Sequence, residues 1–306
     1  MADHQQLIFS TENYEYLKNS ILPHGSFVNG ELEIKRFPDG ERYMRIISEV
    51  NEKHVIIIGG TISDADTLEI YDLASSAVKY GAISLTLVIP YFGYSTMERA
   101  VKYGEVVTAK TRATLFSSIP RTSLGNKVIL IDLHTEGLPH YFESGIRPVH
   151  LYSKEIIIEA CKELHGTDFV MASTDAGRAK WVESLANDIG VNAAFIFKRR
   201  ITGSETQVAG INADVKGRNV IIYDDMIRTG GSLIGAAKAY KEAGARDISV
   251  ITTHGLFIGD SIKKLKDSGV IKEVICTDTH PNAVKIKDDF LKVKTVGPLL
   301  AKNLSV

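Results

Sequence analysis

Short runs of β-branched residues, each followed by helical spacing, recur along the chain. The first opens on Val55-Ile56-Ile57-Ile58, passes through a loop from Gly59 to Asp66, and continues with apolar residues at Ile70, Leu73, Ala74, Ala77 and Val78. That spacing predicts a helix with one apolar face, a stop near Gly81 and a second strand from Ile83 to Ile89. The second repeats the plan: Val220-Ile221-Ile222-Tyr223, a loop from Asp224 to Ser232, a helical face at Leu233, Ala236, Ala237 and Tyr240, a stop at Gly244 and a strand from Ile248 to Thr252. A strand that is apolar at every position is buried on both faces, the condition of a parallel sheet with crossover helices. Val128-Ile129-Leu130-Ile131 and Asp168 to Ala172 fit as further strands. The expected fold class is α/β, with two similar domains, each a mainly parallel sheet flanked by helices.

A length of 306 residues favours two domains over one. The boundary is expected near Pro148, giving domains at 1–147 and 148–285 and a tail at 286–306 that can return to the first domain. No Gly/Ser linker marks the boundary, so the halves are expected to pack closely. The net charge of −1 supplies no global field for nucleic acid or an anionic membrane. The two cysteines, Cys161 and Cys276, have no metal-ligand spacing and are too few for a disulfide framework. A cytoplasmic protein is therefore expected. The N-terminus lacks the basic and apolar regions of a signal peptide, and no apolar run approaches the ~18 residues that a membrane span needs.

In open α/β sheets ligands bind at the carboxyl ends of strands. The sequence places Asp132, His134, Asp175, Asp224 and Asp225 at such ends. The richest of these segments is Val220 to Leu233. Its strand delivers Asp224 and Asp225 to the sheet edge, where carboxylates accept hydrogen bonds from vicinal hydroxyls. Thr229-Gly230-Gly231-Ser232 then turns into a helix. Glycines let backbone N–H groups approach a phosphate, hydroxyls add donors, and the helix N-terminus contributes about half a positive charge. Diol acceptors beside a phosphate cradle suit a sugar phosphate. An ordinary helix-capping turn is the plainer alternative.

Val220 to Leu233 resembles the loop that binds phosphoribosyl pyrophosphate (PRPP) in phosphoribosyltransferases and PRPP synthetases, with Arg228 where those families usually carry a third acid. The resemblance implies a fold like that of the type I phosphoribosyltransferases. Five further segments resemble the synthetases. Phe37-Pro38-Asp39-Gly40-Glu41 is similar to a segment that holds the nucleotide base in a neighbouring subunit's site, which implies a homo-oligomer, at least a dimer. Taken alone it reads equally well as a polar turn between strands. Asp132-Leu133-His134 and Ser173-Thr174-Asp175-Ala176-Gly177 resemble two strand-end segments, and the resemblance implies Mg²⁺ held by His134 and Asp175. Lys198-Arg199-Arg200 resembles the catalytic loop, implying that Lys198 and Arg200 neutralise charge on the transferring group. The polar stretch from Ile201 to Glu205 suits a lid.

The fifth segment, Pro90 to Tyr94 running on to Lys110, has Thr96-Met97 where the common synthetases carry an arginine and a glutamine that bind ATP. Met97-Glu98-Arg99 and Ser117-Ser118-Ile119-Pro120 look more like the plant-type second class, which is less strict about its donor. The implied reaction moves a diphosphoryl group from ATP or another nucleoside triphosphate to ribose 5-phosphate. Asp224, Asp225 and Thr229 to Ser232 would hold the sugar phosphate, and Phe37, Asp39, Glu41 and Arg99 the nucleotide. Two rivals stay open: a phosphoribosyltransferase, and a non-catalytic regulatory paralogue.

Overall fold

The computed structural model describes residues 6–200, 206–211 and 214–304, with the backbone alone at 176, 197–200, 206–209 and 211. The chain divides into two compact units: Met1–Tyr152 with Thr295–Val306, and Ser153–Lys294. Pro148, the boundary expected from the sequence, lies inside a strand of the first unit, where it pairs with Val128.

The first unit is built on β1 (Gln6–Ser10), β2 (Phe27–Asn29), β5 (His54–Ile58), β6 (Ser84–Ile89), β7 (Asn126–Ile131) and β8 (Ile146–Leu151). They form one sheet in the order β2-β1-β5-β6-β7-β8, parallel throughout. Between β2 and β5 the chain makes an antiparallel hairpin, β3 (Leu32–Arg36) with β4 (Arg42–Ile46). Its helices are α1 (Glu15–Ile21), α2 (Asp64–Lys79), α3 (Thr108–Ser117) and the C-terminal α9 (Gly297–Leu304). The predicted face of α2 is the one buried: Ile70, Leu73, Ala74 and Ala77 pack with Val55 and Ile57 of β5 and with Leu85 and Leu87 of β6. The tail comes back to this unit, α9 packing on α1 while Gln6 Nε2 donates to the Leu304 carbonyl at 2.9 Å.

The second unit repeats the topology. Its strands are β9 (Val170–Ser173), β10 (Asn192–Ala194), β13 (Val220–Ile227), β14 (Ile248–Gly255), β15 (Val274–Thr277) and β16 (Leu291–Lys294), in the order β10-β9-β13-β14-β15-β16 and again parallel throughout. The antiparallel hairpin recurs at the same place, β11 (Ile196–Arg200) with β12 (Thr206–Ile211), between the second strand and the third. The helices are α4 (Lys154–His165), α5 (Ala179–Ile189), α6 (Gly231–Glu242), α7 (Ser261–Asp267) and α8 (Pro281–Lys285).

The apolar run at the start of β13 is explained by two cores. Val220 and Ile222 point into one, with Leu233, Ala236, Ala237 and Tyr240 of α6. Ile221 and Tyr223 point into the other, with Ile157, Ala160 and Cys161 of α4 and Val182, Leu185 and Ala186 of α5. Successive strand residues alternate faces, so both faces must be apolar. Each such side chain contributes roughly 1.5–3 kcal/mol relative to exposure, which anchors the strand whose far end carries the acids. No helix among the described residues is long and apolar enough to cross a membrane.

Candidate functional site

At the carboxyl end of β13 the core gives way to carboxylates. Asp225 is buried and Asp224 half-buried. Thr174 Oγ1 donates to Asp224 Oδ2 at 3.2 Å, and the Asp225 N–H donates to Asp224 Oδ1 at 3.0 Å. Arg178 forms an ion pair with Asp225 in which the two side chains are only 19% and 6% exposed. Burial, followed by the neighbouring Asp225 charge, pushes the Asp224 carboxyl up to about 7. The pair is therefore a poor place for two unshielded negative charges and a good one for hydrogen-bond donors such as sugar hydroxyls.

Past the acids, Arg228 and Thr229 are exposed, and Gly230 is buried with φ of 79°. Gly230 is the N-cap of α6 and brings no side-chain cap to it. The first N–H groups of a helix have no intrahelical acceptor, so Gly231 and Ser232, both exposed, present donors outward at the positive end of a twelve-residue helix. A side chain at 230 has no room: an added Cβ would lie 2.9 Å from Leu265 Cδ2. At Gly231 nothing lies within 4 Å of the same position. The cradle is thus closed beneath and open above.

The Ser173–Gly177 segment follows β9, the neighbour of β13. Ser173 Oγ donates to the Asp175 carbonyl at 2.6 Å, and Asp175 Oδ1 accepts the Gly177 N–H at 2.8 Å. From α6, the Tyr240 hydroxyl donates to the Ser173 carbonyl at 3.0 Å. One helix therefore ties the cradle to the Asp175 turn. The hairpin β11–β12 carries Lys198 and Arg200, which pair along the backbone with Val208 and Thr206. The stretch from Ile201 to Glu205, read as a lid, lies outside the described residues.

In the first unit Asp132 is buried at the end of β7 with φ of 38°, its N–H donating to the Leu151 carbonyl at 3.0 Å. His134 follows, half-buried. His150 of β8 holds the turn, its Nε2 accepting the Leu133 N–H at 3.0 Å. Phe37 to Glu41 forms the exposed tip of the β3–β4 hairpin: the Phe37 N–H donates to the Glu41 carbonyl at 2.8 Å, and the Glu41 N–H to Asp39 Oδ1 at 3.0 Å. Both the plain turn and the candidate nucleotide contact are thus accommodated by one element. Next to the tip, the first residue of β4, Arg42, binds Glu69 of α2 at 2.7 Å, the two side chains 16% and 5% exposed. Burial, its largest influence, raises the Glu69 carboxyl above its usual range despite that arginine. Arg99 is exposed and lies 3.5 Å from Glu98, while Met97 is exposed and Thr96 half-buried.

Three charged contacts escaped the sequence: Arg178–Asp225, Arg42–Glu69, and Arg112 bound to Asp64 at 2.7 Å with its guanidinium over the Tyr94 ring. Each joins elements that are distant in sequence, and such pairs leave no periodic trace. Among the described residues no three His, Cys, Asp or Glu side chains cluster as a self-sufficient metal site.

A doubled parallel α/β unit, with twin acids and an uncapped glycine cradle on its second copy, defines a sugar-phosphate-binding transferase fold. Residues 6–119 match the N-terminal domain of ribose phosphate pyrophosphokinase, and residues 183–304 the phosphoribosyl synthetase-associated domain. Ribose-phosphate pyrophosphokinases from Caldanaerobacter subterraneus subsp. tengcongensis (33% identical, 97% of this chain and 93% of the relative), Pasteurella multocida (34%, 90% and 87%) and Ralstonia nicotianae (28%, 100% and 96%) are similar along nearly the whole length. The chain belongs to the ribose-phosphate pyrophosphokinase family, transferases that make PRPP from ribose 5-phosphate and ATP. The crystal structure of phosphoribosylpyrophosphate synthetase from Mycobacterium smegmatis shares the fold, with a TM-score of 0.87 at 24% identity over 98% of this chain and 97% of that one.

Proposed function

We propose that the chain catalyses in-line attack by the 1-hydroxyl of ribose 5-phosphate on the β-phosphorus of ATP or another nucleoside triphosphate. The bond from the β-phosphorus to the oxygen bridging it to the α-phosphate breaks, the hydroxyl proton leaves, and PRPP and a nucleoside monophosphate form. Transfer of this kind is driven by positioning and charge neutralisation. Thr229, Gly230, Gly231 and Ser232 anchor the 5-phosphate, and Asp224 and Asp225 accept the ribose hydroxyls. Phe37, Asp39, Glu41 and Arg99 hold the nucleotide. Lys198 and Arg200 balance the charge of the transferring group. The observation that carries this reading is the β13–α6 junction, where two adjacent acids, one buried and one half-buried, precede a helix N-terminus left without a side-chain cap.

His134 and Asp175 are the proposed protein ligands of Mg²⁺, which when bound shields the nucleotide phosphates and polarises them for attack. A histidine and a carboxylate suit it, since Mg²⁺ takes few protein ligands and fills its shell with substrate oxygens and water. The active species is a homo-oligomer, at least a dimer, working in the cytoplasm. The buried free cysteines are compatible with a reducing compartment. The test is release of nucleoside monophosphate dependent on both ribose 5-phosphate and Mg²⁺. Release that needs neither, or PRPP consumption driven by a free nucleobase, would overturn the assignment.

A further inference from the structure

The twin acids pose an electrostatic problem that Arg178 solves. Asp224 and Asp225 are adjacent, one half-buried and the other buried, and Asp225 donates its own N–H to the Asp224 carboxylate. Two like charges that close disfavour each other and disfavour burial. The Asp224 side chain has the Thr174 hydroxyl, a neutral donor. Asp225 has a cation: Arg178, from the short turn after Gly177, meets its carboxylate with four-fifths of the guanidinium-bearing side chain out of solvent. The Asp175 turn that carries Arg178 is itself fastened, through the Ser173 carbonyl, to Tyr240 of the cradle helix.

We propose that Arg178 is a positioning residue for ribose 5-phosphate, fixing the Asp225 carboxylate in place and in its charged form so that it can accept a ribose hydroxyl. This rests on the reading of the twin acids as ribose acceptors. Arg178 acts on the sugar through Asp225, so its effect disappears when Asp225 no longer carries a charge. An arginine that instead touched the substrate phosphate would act independently of Asp225.

A double-mutant cycle on the full chain separates these cases. Arg178→Ala is expected to raise KM for ribose 5-phosphate about tenfold or more, while KM for ATP and kcat at saturating sugar stay within about twofold. Arg178→Lys keeps the charge without the planar fork and is expected to recover most of that loss. Asp225→Asn alone raises the same KM, and adding Arg178→Ala to it changes KM no further. Multiplicative effects in the double variant, or an unchanged KM in Arg178→Ala when Asp225→Asn is impaired, overturn the proposal. If Asp225→Asn itself leaves KM unchanged, the assignment of the twin acids fails instead. Thermal melting confirms that each variant folds. Should Arg178→Ala not fold, Arg178→Gln, which keeps the bulk and loses the charge, takes its place in the same cycle.

Discussion

Two neighbouring glycines in the cradle ought to fail in opposite ways. Gly230 has φ of 79°, and a Cβ there would approach Leu265 Cδ2 to 2.9 Å and Cγ to 3.0 Å. A non-glycine residue in the left-handed region costs about 1–2 kcal/mol, and the contact with buried Leu265 adds to it. We expect Gly230→Ala to cost about 2 kcal/mol, which for a domain of this size lowers Tm by ~4–8 °C. Gly231 takes an ordinary helical conformation, with open space where its Cβ would be. Alanine is the better helix former by about 0.8–1 kcal/mol, so Gly231→Ala leaves Tm unchanged or slightly higher. Its methyl group, however, would crowd the donors proposed to face the 5-phosphate. KM for ribose 5-phosphate should rise at least about tenfold, the loss of one charge-assisted hydrogen bond. Differential scanning calorimetry and steady-state kinetics on both variants decide the matter. A Gly231→Ala protein that melts early, or one that binds sugar phosphate like the parent, refutes the view of a cradle closed beneath and open above.

Lys198→Ala and Arg200→Ala should lower kcat by orders of magnitude with little change in KM, since balancing the charge of the transferring group acts in the transition state; turnover within a few-fold of the parent would reduce the segment to a solvated turn. Mixing an Asp39/Glu41 double variant with a His134 variant should restore partial activity if the hairpin tip completes a neighbour's site, and failure to rescue after proven subunit exchange argues for sites built within one chain. Thr96 and Met97 offer one hydroxyl and a soft apolar chain where an arginine would make a charged contact. GTP, CTP and UTP should therefore replace ATP within about tenfold in kcat/KM; a thousandfold preference for ATP would contradict this. His280 is buried, and burial, with smaller contributions from His254 and Lys285, pushes its imidazole down to about 3. Below its ordinary ~6.5 the unfolded chain takes up a proton that the folded chain refuses. Its contribution is whole above that pH and declines by about 1.4 kcal/mol per unit as pH falls toward 3. Denaturant titrations at pH 7 and pH 5 should show a smaller loss for His280→Gln than for the parent.

The parts of the fold that were legible in the sequence are those in which one physical demand sets several residues at once. Burial on two faces wrote Val55–Ile58 and Val220–Tyr223 as unbroken apolar runs, and the crossover helices followed from their spacing. Asp168, expected inside a strand, lies before it, since β9 begins at Val170. The first hairpin showed in the sequence only as a polar turn between strands, because an exposed two-stranded ribbon buries little; β3 reads Leu-Glu-Ile-Lys-Arg, two apolar residues and three charged. Ile156, Ile157 and Ile158 imitate a strand yet sit in α4, where only Ile157 is buried. The glycines and acids were readable because they stand together in the chain where one strand passes into a helix, although the backbone demands a glycine only at Gly230. The cations that balance the acids were not, because Arg178 and Arg42 reach their partners across the fold.

The internal repeat also explains why only one of two equivalent junctions is suited to a phosphate. β5 and α2 stand where β13 and α6 stand, as third strand and crossover helix of the same strand order. At α2 the helix N-terminus is already satisfied: Ser63 Oγ accepts the Asp66 N–H at 3.1 Å, and Asp64 and Asp66 bring negative charge into the first turn. Asp66 is further engaged by Asn13 at 2.7 Å, and Asp64 by Arg112 and the Tyr94 hydroxyl. A phosphate there would meet carboxylates and find the donors taken. At α6 a glycine cap and a first turn without acids leave the same donors available, while the acids have moved back along the strand to Asp224 and Asp225. The charge that closes one junction is set back, in the other, onto the strand, ahead of the helix N-terminus in the chain. The hairpins tell the same story: both leave the sheet after its second strand, one ending in Phe37 to Glu41 and the other carrying Lys198 and Arg200. The two units thus share one element order and differ where their helices begin and their hairpins turn.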